Sequence, residues 1–267
     1  FEIVERADSK FYIESLLNIC KKYSVDLIIP TSEPELRFFL NEDIIGPLDG
    51  TPVLIVNKKA LTIGFDKALT SDFLKSSSLS YPWTTLVSEG VPKAFPCIIK
   101  KRYGSGSKDI IVVDEEVVDY YSTKRPDDLW QEYLSPDDQE YTCGLYRSKA
   151  GEIRTIILKR RLDGSLTVYG EVRKNMEIEV MLNRLAELLD LQGSINPQLR
   201  LTERGPVMFE INPRFSSTVM FRHLLGFKDL LWSINEIAGK AIEDYIPPKI
   251  GTRFYRASQE VILQRNR

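Results

Sequence analysis

The order of apolar periods predicts an α/β segment at the start of the chain, followed by a mixed α+β body. Three observations carry this. Helical and strand-like runs alternate over the first 56 residues, two β-rich runs flank a glycine- and serine-rich tip near residue 104, and four more β-rich runs fill residues 129–172 before helix returns. At 267 residues the chain exceeds one ordinary compact domain, so two to three sub-domains are expected.

Residues 8–23 carry Phe11, Ile13, Leu16, Leu17, Ile19 and Cys20 at apolar positions, then Lys21 and Lys22, as in an amphipathic helix with a cationic last turn. A short buried strand at 25–30, a helix at 33–40 and a strand at 52–56 complete an αβαβ series, the grammar of an open sheet with parallel strands. The series begins on a helix where a strand normally comes first, which predicts a further segment ahead of Phe1. Residues 61–75 read as one helix, ended by Ser76-Ser77-Ser78 and a linker at Tyr81-Pro82.

A new unit starts near Val91. Strands at 95–100 and 110–113 are joined by residues 101–109, a hairpin with a glycine- and serine-rich tip. Further strands are expected at 129–134, 140–146, 153–161 and 166–172, then a helix at 177–191 with Leu182, Leu185 and Leu188 on one face and Gly193 as its stop. Strands at 196–202 and 207–211 lead to helices at 218–225 and 230–238, with no internal repeat and no low-complexity tail.

Apolar and charged fractions of 43% and 28% are ordinary, and a net charge of −2 gives no pull toward nucleic acid or an anionic membrane. No apolar run approaches the roughly 20 residues of a membrane span. The start Phe1-Glu2-Ile3-Val4-Glu5 has no charged-then-apolar leader, so a cytoplasmic location is expected. Cys20, Cys97 and Cys143 are odd in number and widely spaced, which suits reduced core thiols better than a disulfide frame or zinc site. A multi-histidine metal site or a Ser-His-Asp triad would have to rest on His223 alone.

Glu210 and Asn212 sit two apart on a strand and so share one face. With Glu203-Arg204-Gly205 as a three-residue loop and Gly205 in the left-handed position, the pairing sets Gln198 opposite Glu210. A carboxylate with amide oxygens and room for water suits Mg²⁺, which takes its remaining ligands from phosphates. Arg214, just beyond, is placed to hold a transferred phosphoryl group. A strand ending in a proline turn with a surface arginine would read the same way. Gly104, Ser105, Gly106 and Ser107 let backbone N–H groups close over phosphates, or simply form an exposed hairpin tip. They are not a Walker A loop, and no Gly-x-Gly-x-x-Gly turn occurs. Lys100 ends an apolar strand, where an inward lysine is costly unless an anion receives it, whereas an exposed helix lysine is the commoner explanation for Lys67.

Together and in this order, 26–31, Asp66-Lys67, 95–100, 104–107, 130–134, 139–142 and 209–214 resemble the ATP-grasp superfamily, most closely its carbamoyl-phosphate-synthetase-like members. The resemblance covers nearly the whole chain. It implies an ATP-grasp fold of two α+β lobes gripping ATP, preceded by a partial Rossmann-like pre-ATP-grasp domain. The implied division is 1–60 for that α/β domain, 61–90 a helical linker, 91–134 the small lobe with the glycine-rich loop and 135–267 the large lobe with the metal site. By the same resemblance Lys67 and Lys100 hold the nucleotide phosphates, while Glu132, Tyr133 and Leu134 form the hinge at the adenine edge and Glu140 binds ribose. Gln198, Glu210 and Asn212 match the metal positions and Arg214 the arginine that steadies the acyl phosphate. Plain alternatives are solvated strand residues for Glu132 and Glu140, and a cross-strand polar partner for Gln198. Lys101 stands where a proline commonly follows the strand lysine, and Asp109 where the loop often has another glycine.

Among Arg160, Arg161 and Arg173, around the Asp163-Gly164 turn, at least one is expected to face an acceptor carboxylate; Arg161 and Arg173 join Lys100 and Arg214 as catalytic candidates, solvated charges being the alternative. The expected activity is that of an ADP-forming carboxylate–amine ligase working through an acyl phosphate with ATP and Mg²⁺, Mn²⁺ being able to substitute. Its partners would be small carboxylates and amines, with no nucleic acid, no membrane and a homodimer left open. Two alternatives stand beside it: a catalytically silent ATP-binding module, and a small-molecule kinase that stops at phosphoryl transfer.

Overall fold

The computed structural model describes residues 1–104 and 109–257. Its first helix, α1 (Tyr12–Tyr23), closes on Ser24 at a left-handed φ of 50°, with Lys21 and Lys22 against the negative end of the helix dipole. Helix α2 (Glu33–Asn41) opens with a capping box in which Ser32 and Glu35 exchange hydrogen bonds, and with Pro34 in its first turn. The two strands expected around α2 shrink to one parallel bridge between Ile28 and Val53. Its hydrogen bonds, Ile28 N to Pro52 O and Leu54 N to Ile28 O, are 2.9 and 2.8 Å long. Cys20, Ile28, Phe39, Leu48 and Val53 bury a small core beneath it.

The helix expected over 61–75 is two, α3 (Lys58–Phe65) and α4 (Lys67–Ser76). Asp66 breaks it with an extended backbone, its carboxylate accepting from the amides of Ala68 at 2.9 Å and Leu69 at 3.3 Å.

Among the described residues the remaining strands form two antiparallel sheets. The smaller, in order β1-β4-β2-β3, joins β1 (Thr84–Leu86), β2 (Cys97–Lys100), β3 (Ile111–Val113) and β4 (Leu129–Glu132). Residues 84–86, read from sequence as linker, therefore belong to a sheet. Helix α5 (Val118–Lys124), not expected from sequence, covers one face, and Val87, Cys97, Ile99, Val113, Val118 and Trp130 pack beneath it.

The larger sheet, in order β10-β7-β6-β5-β8-β9, contains β5 (Glu140–Arg147), β6 (Ile153–Asp163), β7 (Leu166–Arg173), β8 (Gly193–Thr202), β9 (Gly205–Asn212) and a short β10 (Arg253–Tyr255). One face, with Cys143, Leu145, Ile157, Ile195, Leu199 and Ile211, packs on α3, α4 and α6 (Met176–Leu188). Helix α6 ends at Leu188 and Asp190 takes the left-handed turn at φ 46°; Gly193, expected as the stop, instead opens β8. Helices α7 (Val219–Leu224) and α8 (Asp229–Ile237) lie toward the other face, where Phe227 and Trp232 meet Tyr146, Ile156 and Leu158. The three cysteines are buried and free.

The β8–β9 hairpin reaches its expected register by an unexpected route. Thr202 pairs with Gly205 across the two-residue turn Glu203-Arg204, with Gly205 at φ 88°. Leu199 then pairs with Met208, but Gln198 pairs with Glu210, so Phe209 is the extra residue of a bulge.

Helix α3 reaches the end of β9 only because residue 64 is glycine. A Cβ there would stand 2.7 Å from Pro213 Cδ and 2.8 Å from the Ile211 carbonyl. Gly64→Ala is accordingly expected to destabilise the chain by about 1–3 kcal/mol, overpacking outweighing a helix-propensity gain of about 1 kcal/mol. Urea unfolding measures it, and an unchanged midpoint would contradict the packing argument.

Candidate active site

Strand alternation places Glu140, Thr142, Arg160, Asn196, Gln198, Glu210 and Asn212 on the sheet face opposite the α6 core, as their cross-strand pairs require. Glu210 Oε1 lies 3.9 Å from Lys67 Nζ, which donates at 2.5 Å to the Gly104 carbonyl. Lys67 is held there by its neighbour. The Asp66 carboxylate that caps α4 also takes Arg102 Nε at 3.0 Å and Nη2 at 2.7 Å, and Lys67 N donates to the Arg102 carbonyl at 3.3 Å. Burial raises the Asp66 pKa, but Arg102 and the two capping amides outweigh it and leave the group below the usual carboxylate range.

A cavity of about 320 Å³ opens over this face, walled in part by Thr142, Asn196, Glu210, Asn212 and Arg214. The Arg214 guanidinium donates to the Phe215 carbonyl at 3.2 Å and pairs with no carboxylate among the described residues. Asn196, buried, donates to Thr142 Oγ1 and to the Cys143 carbonyl, fixing the floor.

A second cavity, also about 320 Å³, runs between the sheets, with Ile98, Ile110 and Val112 on one side and Leu162 and Phe209 on the other. Lys100 lies in it, 5% exposed. Burial lowers its pKa to about 8; Glu210 opposes that shift and Lys67 adds to it.

The sequence-predicted residues fall into four sets. Lys67, Lys100, Gly104, Glu210, Asn212 and Arg214 are brought together around the two cavities. Glu132, Tyr133, Leu134, Glu140 and Gln198 also line the second cavity, with polar groups that are already engaged. Glu132 accepts from Trp83 N at 3.2 Å and pairs with Arg204 at 2.6 Å, Tyr133 donates to Asp137 at 2.8 Å, and the Leu134 carbonyl accepts from Arg200. Glu140 accepts from Arg160 at 2.6 Å and from Arg200 at 2.8 Å, and Gln198 Oε1 accepts from Arg160 at 2.8 Å. Ser105, Gly106 and Ser107 lie outside the described residues.

Arg161 and Arg173 form the fourth set. They pair across strands with Tyr169 and Ile157, so they point to the face opposite Glu210. Arg161 stacks over Tyr169 and Arg173 pairs with Glu171 at 3.0 Å. Of the three arginines only Arg160 lines these two cavities. Sequence reasoning missed Asp66, Arg102, Asn196 and Arg200; Asn196 carried a signal, standing two residues from Gln198 on one strand.

Among the described residues no group of three or more His, Cys, Asp or Glu side chains could hold a metal ion. Glu210 and Asn212 nonetheless offer a carboxylate and an amide oxygen on one face. That set fits a hard divalent ion which completes its shell with phosphate and water.

The antiparallel lobes, the slot between them and this face define the ATP-grasp class. The chain belongs to the family described as ATP-grasp in the biosynthetic pathway with Ter operon, whose model matches residues 124–259. Residues 1–46 match a second model, the PylC-like N-terminal domain. Comparison with curated proteins gives no match in sequence. Among solved structures, N5-carboxyaminoimidazole ribonucleotide synthetase from Thermus thermophilus matches at a TM-score of 0.72 and 14% identity, over 92% of this chain and 69% of that one. The biotin carboxylase domain of Hydrogenobacter thermophilus 2-oxoglutarate carboxylase, with MgADP, ADP and bicarbonate, gives 0.73 and 14%, over 95% and 62%. The L-amino acid ligase from Bacillus licheniformis gives 0.64 and 15%, over 83% and 59%. At these identities the likeness is one of fold. No helix among the described residues is long and apolar enough to cross a membrane.

The depressed Lys100 pKa has two consequences of opposite sign. Between pH 8 and the ordinary lysine range the unfolded chain holds a proton that the folded chain has lost, so ligand-free stability should rise with pH there. Affinity for a nucleotide should fall over the same range as the ammonium is neutralised. Lys100→Met should abolish both trends and stabilise the ligand-free chain at pH 7 by roughly 1–3 kcal/mol. Thermal unfolding and nucleotide titration against pH measure them.

Proposed function

We propose that this chain is a carboxylate–amine ligase that converts ATP to ADP through an acyl phosphate. The observation that carries the proposal is the convergence of Lys67, Lys100, Glu210, Asn212 and Arg214 where an apolar slot meets a polar cavity. The slot suits a flat base. Lys100 and Lys67 then supply positive charge along the phosphates, and Glu210 and Asn212 are the residues that would hold Mg²⁺. When bound, that ion neutralises charge on the phosphate oxygens.

Arg214 borders a third, smaller cavity of about 110 Å³, walled by Pro30, Leu36 and Val56 of the N-terminal segment together with Lys149 and Phe215. We place the substrate carboxylate there. One of its oxygens attacks the γ-phosphorus, ADP leaves, and the amine displaces phosphate from the acyl carbon; Arg214 holds the anion that both steps share. The MgADP and bicarbonate with the H. thermophilus domain support this reading by analogy of fold. The division into 1–60, 61–90, 91–134 and 135–267 is kept as a proposal, with the small-lobe sheet extended back to Thr84.

ADP release against paired panels of small carboxylates and amines tests the activity. Glu210→Gln is expected to abolish turnover with an unchanged circular dichroism spectrum; undiminished turnover would remove Glu210 from the site. Arg214→Lys should keep nucleotide affinity within about threefold while lowering kcat by about 100-fold, since a point charge cannot replace a planar fork. Equal losses in both would instead assign Arg214 to nucleotide binding.

A further inference from the structure

Arg160 sits where the polar cavity and the slot meet, and its side chain is 9% exposed. Its Nε and Nη2 donate to Glu140 Oε1 at 2.9 and 2.6 Å, and Nη2 also donates to Gln198 Oε1 at 2.8 Å. One guanidinium thus joins the residue expected at the ribose to a residue expected at the metal.

The orientation of the Gln198 amide follows from its partner. A guanidinium only donates, so the Gln198 atom facing it must be the oxygen. That oxygen would be the metal ligand, and a cation already stands 2.8 Å away, competing for its lone pairs and repelling a second positive charge. The other tip of the amide, Nε2, carries two hydrogens and meets no acceptor among the described residues, yet Gln198 lines both cavities. A phosphate chain running from the slot to Glu210 has to pass this position. Glu140, clamped between Arg160 and Arg200, in turn keeps Arg160 from swinging away.

We propose that Arg160 is a positioning residue that turns Gln198 into a hydrogen-bond donor to the nucleotide phosphates, leaving Glu210 and Asn212 to hold the metal ion. This deepens the ligase reading and rests on its nucleotide site. It departs from the metal role that the resemblance implies for Gln198.

The test is the Mn²⁺ affinity of the ADP-loaded chain, read from the paramagnetic resonance of free Mn²⁺, beside ADP affinity in EDTA by calorimetry. Gln198→Ala should weaken ADP at least about fivefold without metal and leave Mn²⁺ affinity within about twofold. Gln198→Glu should not tighten Mn²⁺, because the introduced carboxylate pairs with Arg160. Added to Arg160→Ala, the same change should tighten Mn²⁺ by about fivefold or more, the carboxylate then being free. Should Arg160→Ala not fold, Arg160→Lys, which lacks the fork that reaches both partners, replaces it. Tighter Mn²⁺ in Gln198→Glu with Arg160 intact, or a tenfold loss of Mn²⁺ affinity in Gln198→Ala, would overturn the proposal. Failure of the unaltered chain to bind ADP would instead remove the nucleotide reading beneath it.

Discussion

The arrangement of the candidate site depends on one extra residue in β9. Side chains of a strand alternate, so a regular β9 with Met208 in the core would send Glu210 into the core as well. The bulge at Phe209 shifts the phase by one residue. Met208 and Ile211, three apart, both pack in the main core, while Glu210 and Asn212 turn to the opposite face. The extra residue is itself put to use, because Phe209 becomes a wall of the slot between the sheets. Gly64 then lets α3 lie against Pro213 and Ile211, fixing the end of the strand beside Arg214.

Placing the acids on that face leaves the cations to be explained, since a buried lysine opposes folding unless something offsets its desolvation. Glu210 offsets part of it for Lys100, and Lys67 adds to the cost. The excess is a property suited to an anion site: two lysines and Arg214, which pairs with no carboxylate among the described residues, surround one carboxylate and leave the face with surplus positive charge. The Asp66–Arg102 tie serves the same end by holding the start of α4, and with it Lys67, against the residues after β2.

How much of this was legible follows from what each signal depends on. Strands β2 to β9 and α6 were readable because their patterns are local, and the shared face of Glu210 and Asn212 because a spacing of two on a strand fixes it. The break at Asp66 was not, because it rests on a capping carboxylate and on an arginine 36 residues away. The Gln198–Glu210 pairing was expected from a three-residue turn; a tighter turn and a bulge give the same register, and sequence does not distinguish the two routes. The run Ile156-Ile157-Leu158 ahead of Arg160 and Arg161 is buried throughout, so the sequence does not show which arginine faces Glu210. A strand covered on both faces has no polar alternation to show which arginine faces inward.

The guanidinium cluster around Glu140 obeys the same electrostatic logic as the lysines, with a difference in strength. Glu140 is shared by Arg160 and Arg200, and Arg200 is also paired with Asp137, which is largely solvent-exposed. Exposure weakens that outer pair through water and salt, whereas the inner hydrogen bonds are largely shielded. The inner group therefore keeps close to one net positive charge. Its members on β5, β6 and β8 face the same way as Glu210 on β9, and Glu132, Asp137 and Glu140 line the slot beside Lys100, Arg160 and Arg200, so the slot itself carries balanced charge. The unbalanced positive charge stays at the polar end, where Lys67 and Arg214 flank Glu210, and a ligand with a neutral body and an anionic tail suits that division.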